Sequence, residues 1–138
     1  MLVRWTALVT AAATMAALLA LSAPASALPP LGQNAYVTDR LVAARVADKI
    51  RKACPTISAR LFYAYSQARA LKRWVAGQGY PEATIEAFLD DKAEKKKIYA
   101  RAEDYLKANG ATDAAGFCAL GKTEIAKKSI IGSLIYEN

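Results

Sequence analysis

Two cysteines, Cys54 and Cys118, stand 64 residues apart in a chain of 138. What they do depends on the compartment the chain reaches, and the first 27 residues speak to that. MLVRWTALVTAAATMAALLALSAPASA begins with one positive charge at Arg4, continues through the apolar run Trp5 to Leu21 and ends in small residues with Ala25-Ser26-Ala27. This is the layout of a secretory signal peptide, with cleavage expected before Leu28. The competing reading, an uncleaved anchor, faces a run slightly short for a bilayer span and interrupted by Thr10 and Thr14. In an oxidising periplasm two cysteines pair with each other more readily than they serve a metal or a redox cycle. The sequence therefore predicts a Cys54–Cys118 disulfide that ties distant parts of a small domain together.

The expected organisation is a signal peptide over 1–27, an extended proline-rich leader over 28–35 and one helical domain over 36–138. Leu28-Pro29-Pro30-Leu31-Gly32 favours a polyproline-like path. From Asn34 to Lys52 apolar residues recur at Val37, Leu41, Ala44, Val46, Ala47 and Ile50, a helical period that Cys54-Pro55 ends. Thr56 or Ser58 is placed to cap a second helix. Its apolar positions Ile57, Leu61, Ala64, Ala68, Leu71 and Val75 form a packing seam, widened by Phe62, Tyr65 and Trp74 and stopped at Gly77 or Gly79.

A third helix starts at Tyr80-Pro81-Glu82 and turns Ile85, Phe88 and Leu89 inward. Asp91-Lys-Ala-Glu94 resembles a capping box, opening a fourth helix through Ile98, Ala102, Tyr105 and Leu106 to Asn109-Gly110. After a turn at 112–116, a last helix is expected from about Phe117 to Tyr136. No strand alternation is visible. The predicted fold is all-α, a small bundle of about five helices closed by one disulfide.

Residue types narrow the chemistry. The chain has no histidine, and both methionines, Met1 and Met15, lie in the first 27 residues. The usual general base and the imidazole and thioether ligands are thus missing from the domain, and oxidised cysteines do not ligate metals. Asp90-Asp91 and Glu103-Asp104 are neighbours in sequence, so on a helix they point about 100° apart rather than into one cleft. No G-x-S-x-G elbow surrounds any serine, and Gly77-Gln78-Gly79 lacks the strand and further glycine of a dinucleotide loop. These features predict a protein without catalytic residues, cofactor, metal, small-molecule substrate or nucleic-acid partner.

Interaction is the remaining class. Setting Arg4 aside from the 19 basic side chains leaves 18 against 12 acidic ones, a net charge of +6 that favours acidic proteins or anionic headgroups as neighbours. Lys95-Lys96-Lys97 is the densest charge run, either a solvated helix face or a contact for such a partner. The aromatics of the second helix exceed what one seam hides, which points to Tyr63, Trp74 and the following Tyr80 as interface residues. The tail SIIGSLIYEN is apolar nearly all round its last turns. Core packing and docking through Ile131, Leu134 and Ile135 both remain open for it.

Five stretches carry a resemblance: VADKIRKACPTISAR (46–60), Y-x-x-A-x-x-L-K (65–72), GYPEATIEAFLDDKAEK (79–95), RAEDYLKANG (101–110) and FCALGKTEIAKKSIIGSL (117–134). Together they resemble an alphaproteobacterial family of small exported proteins with a domain of unknown function. The resemblance spans roughly residues 36 to 135 and includes both cysteines. It implies a supernumerary subunit of the respiratory NADH:quinone oxidoreductase, complex I, peripheral on the periplasmic face of the inner membrane against membrane-arm subunits. It supplies no catalytic motif. The alternative class is a free periplasmic binding protein or inhibitor acting on an acidic partner or on the membrane surface.

Overall fold

A computed structural model describes residues 27–138; the signal peptide expected over 1–27 lies, as far as Ser26, outside the described residues. Helix α1 (Ala35–Ala53) forms where the 3.6-residue period predicted it. Asn34 caps its start, with Oδ1 accepting from the Val37 N–H at 3.3 Å, and Cys54 leaves the helical region ahead of Pro55. Before α1 the leader is only partly extended. Pro30 keeps polyproline-like angles, but Leu31–Gln33 closes a single 3-10 turn that buries Leu31.

Between α1 and α2 (Leu61–Gly77) the chain departs from the expectation of a second helix capped at Thr56 or Ser58. Ile57–Ala59 is a strand, β1, paired antiparallel with β2 (Ile135–Glu137) near the C-terminus. Ser58 is not a cap: its hydroxyl donates to Asn138 Oδ1 at 2.6 Å, and Arg60 at the start of α2 makes no side-chain cap. The ribbon forms because Ile57 and Ile135, on its inner face, bury themselves against α1 and α5. Two three-residue strands are too short to show alternation in sequence.

Helices α3 (Glu82–Asp90) and α4 (Lys92–Ala108) follow the predicted boundaries closely. Gly79 takes a positive φ of 98°, where a side chain would be strained, and so turns the chain out of α2. The Asp91 carboxylate accepts from the Ala93 and Glu94 N–H groups at 2.7 and 3.0 Å, a cap that contributes about 1 kcal/mol. Glu94 does not complete the reciprocal box; it turns to Lys97 at 2.7 Å.

The expected last helix is broken in two. α5 runs Ala114–Lys127, capped by Asp113, and Lys128 then adopts a left-handed φ of 52°. Ser129 caps the short α6 (Ile130–Ser133), its Oγ accepting from the Gly132 N–H at 2.9 Å, before β2 leads to the terminus. Among the described residues the fold is thus a bundle of six α-helices with one two-stranded ribbon.

The main core is formed by α1, α4, α5, α6 and the ribbon around Val46, Ile50, Ala102, Leu106 and Ile135. Ala102 offers only a methyl group at the α1–α4 contact, which lets the two helices approach closely. A smaller cluster of Leu31, Val37, Val75, Tyr80 and Ile85 joins the leader turn and α3 to the far end of α2. Cys54, at the C-terminal cap of α1, is bonded to Cys118 in the second turn of α5, with Cα atoms 5.1 Å apart. The predicted pairing and its role as a tie between the two ends of the domain are both present.

One polar knot lies within the main core. Glu124 of α5 is 2% exposed and accepts from the Tyr105 hydroxyl of α4 and from the Ser129 hydroxyl. Burial first, and then the hydrogen bond to Glu124, push the Tyr105 hydroxyl up from 10.0 to about 12. A raised folded-state pKa on an acid means that the unfolded chain releases this proton first. Stability is therefore lost as pH rises from 10 towards 12. Urea unfolding across that interval should show a steeper loss for the wild type than for Tyr105→Phe, which has no phenol to ionise.

Candidate docking surface

Helix α2 has the predicted seam but not the predicted burial. Of its inward positions only Val75 is fully buried; Ala64 and Leu71 are half-buried and Ala68 is exposed. Ala64 still packs against the main core, but alanine side chains fill little of the space beside α1. Open apolar clefts therefore flank the helix on both sides. One, between α2, α1 and α6, has a volume of about 370 Å³ and is lined by Leu41, Ala64, Ala68, Trp74, Ile130 and Leu134. The other, between α2, α1 and α3, has a volume of about 250 Å³ and an almost wholly apolar wall that includes Leu31, Val37, Ile85 and Phe88.

The far half of α2 is fastened. Trp74 stacks on Tyr36 of α1 with ring centroids 4.1 Å apart, and the Arg40 guanidinium lies over the same tyrosine, 3.3 Å from its centroid. Tyr80 is buried and donates its hydroxyl to the Pro29 carbonyl at 2.7 Å, holding the leader in place. The near half is not fastened in this way. Leu61 is 69%, Phe62 95% and Tyr65 66% exposed, on a helix that begins directly after the ribbon's first strand.

The sequence-derived interface set divides accordingly. Tyr63 is exposed on α2, and Lys95, Lys96 and Lys97 are exposed on α4. Three of the remaining residues come from the tail, and all three are core. Ile131, Leu134 and Ile135 are buried because the break at Lys128-Ser129 folds the tail back over α5 and into the ribbon. Tyr80 likewise faces inward, and Trp74 is half-buried in its stack, so both act as internal fasteners rather than surface contacts.

The more exposed residues, Leu61, Phe62 and Tyr65, are not in the sequence-derived set. A signal for Phe62 exists in the sequence. At 100° per residue it lies nearly opposite the Ala64–Leu71–Val75 seam, and the run Leu61-Phe-Tyr-Ala-Tyr65 puts large apolar groups on more faces than one neighbour covers.

Charge on this face is one-sided. α2 carries Arg69, Lys72 and Arg73 with no acidic residue, and Arg60 precedes it. Lys72 is engaged by Glu82, at 3.1 Å, and by Glu86 of α3. The hydrogen bond from Lys72 to Glu86, then that to Glu82, holds the ammonium above its ordinary pKa. On α4, Glu94 does the same for Lys97. Among the described residues no group of three or more potential ligands is positioned to hold a metal ion, and no helix is long and apolar enough to cross a membrane.

No curated protein and no solved structure matches the chain. A family model described as a family of unknown function (DUF5333) matches residues 29–136, from the leader turn into the second strand of the ribbon. The chain belongs to that family, and the match takes in both cysteines and the whole of α2.

Proposed function

We infer that this protein is a non-catalytic accessory subunit, peripheral on the periplasmic side of the respiratory NADH:quinone oxidoreductase, where it stabilises the membrane arm or its assembly. The observation that carries the docking role is the uncovered start of α2, with Phe62 95% exposed on a covalently tied domain. A disulfide between the two cysteines supports an oxidising compartment. The partner's identity rests on the resemblance of residues 46–60, 79–95 and 117–134 to exported alphaproteobacterial proteins whose genes lie among those of complex I.

Complex I purified from native membranes in mild detergent tests this reading. The protein should be present at close to one copy per enzyme, and its consistent absence would overturn the assignment. The second reading, a free periplasmic binder of acidic partners, draws on the net charge of +6 on residues 28–138 and the absence of acid on α2. It predicts a monomer released by osmotic shock, whereas an accessory subunit leaves the membrane only with detergent or strong salt.

A further inference from the structure

We propose that the outer face of α2 binds an anionic lipid surface directly, with Leu61, Phe62 and Tyr65 entering the headgroup–acyl boundary and Arg69 and Arg73 meeting lipid phosphates. This goes beyond the complex I assignment and stands without it, because it rests on the helix alone.

The geometry separates two sides of the helix. Ala64, Leu71 and Val75 turn towards α1, and Phe62, Ser66, Arg69 and Arg73 fall within a narrow arc on the opposite side, all exposed. Tyr65 stands next to this arc, with the Arg69 guanidinium 5.8 Å from its ring centroid, and Leu61 stands next to Tyr65. The face is thus apolar and aromatic over its first turns and cationic over the next two. Among the described residues nothing covers Phe62, Ser66 or Arg73, and Arg69 stands at the edge of the cleft that α2 forms with α1 and α3.

The charges select the occupant. Lys72, on the flank towards α3, has its carboxylates in Glu82 and Glu86, while Arg69 and Arg73 form no ion pair among the described residues. A surface that takes a fully exposed phenylalanine and two unpaired guanidinium groups side by side is both apolar and anionic. A bilayer interface rich in acidic phospholipid has that composition, and guanidinium groups suit phosphate oxygens through paired N–H donors. The lysine run of α4 is a poorer match: Lys97 is already held by Glu94, and the nearby Tyr99 ring is covered by the Arg45 guanidinium at 4.2 Å. With no described helix able to span a bilayer, the contact is a shallow one in the plane of the interface.

Co-sedimentation with vesicles tests this, using the full chain produced behind its own leader so that residues 1–27 are common to every variant. Vesicles of phosphatidylcholine with roughly one-third phosphatidylglycerol should bind the wild type, and phosphatidylcholine alone should bind it far less. Phe62→Ser should lower partitioning about tenfold, from the loss of one buried aromatic side chain. Arg69→Gln with Arg73→Gln should lower it by at least about tenfold on anionic vesicles and leave neutral vesicles unaffected. The triple variant Lys95→Gln, Lys96→Gln, Lys97→Gln should stay within about twofold of the wild type. All three substitute exposed positions, and a wild-type urea midpoint in each confirms the fold.

Equal binding to both vesicle compositions, binding indifferent to the α2 substitutions, or binding abolished by the lysine variant would each overturn the proposal. No vesicle binding, together with retention in complex I preparations, would overturn it too, assigning the face to a protein contact and leaving the accessory role standing. Vesicle binding with absence from complex I would do the reverse.

Discussion

Reducing the Cys54–Cys118 bond should lower the unfolding free energy by about 4 kcal/mol, the chain-entropy cost released when a loop of this length is opened in the unfolded state. A domain of this size has on the order of 5–10 kcal/mol to lose, so the reduced protein is expected to be marginal at about 37 °C. Packing does not replace the bond. Cys54 is fully buried at the end of α1 and Cys118 lies on the adjoining face of α5, so reduction leaves two thiols in a site shaped for one disulfide. Urea unfolding with and without reductant measures it directly. A fall in midpoint of roughly 2–3 M is expected from the usual slope for a small domain, with Cys54→Ser/Cys118→Ser giving the same result without reductant. An unchanged midpoint in both would show that the bundle holds itself together.

The second large effect is expected at Gly132, which has an ordinary backbone conformation but no room. A Cβ there would overlap the carbonyl of Glu124 and stand 2.7 Å from the Ile125 nitrogen, both backbone atoms at the end of α5. Neither can rotate aside, so Gly132→Ala must push α6 away from α5. With it go the Ser129 bonds to Glu124 and the seating of Ile135 in the core. A loss of about 2–4 kcal/mol follows, at the upper end for overpacking because the obstacle is backbone. Gly77→Ala provides the contrast. Gly77 closes α2 with no atom within 4 Å of where a methyl group would sit and no positive φ, so alanine there should be neutral or stabilise by up to about 1 kcal/mol. The two variants in one urea series separate close approach from mere glycine loss.

Glycine 132 also shows where sequence patterns stop being informative. The boundaries of α1 and α4 were legible because each is fixed locally: Asn34 and Asp91 cap the starts, Cys54-Pro55 and Asn109-Gly110 end them, and the apolar period runs unbroken between. The disulfide was legible from the compartment implied by the leader together with a count of two cysteines. The ribbon was not, because Ile57 and Ile135 meet from opposite ends of the domain and each strand has only three residues. Nor was the break after α5, since a lysine rather than a glycine or asparagine takes the left-handed position at 128.

The burial of the tail and the exposure of α2 have one physical reason. Periodicity states which residues share a face, and burial is decided by what that face meets. For Ile131, Leu134 and Ile135 the pattern allowed core packing or docking, and they are core, because the chain doubles back at Ser129. Leu61 and Ala68 read as part of a core seam and are exposed, because the small side chains of Ala64 and Ala68 leave an open cleft beside α1. The surface that results is the one assigned here to docking.

Attachment through that surface can be read from a single fractionation. Native membranes prepared from cells producing the full chain should pellet the wild type, while Phe62→Ser/Tyr65→Ser should move into the osmotic-shock fluid at equal abundance and with an unaltered urea midpoint. A doubly substituted protein that still pellets as the wild type does would contradict the assignment of the α2 face.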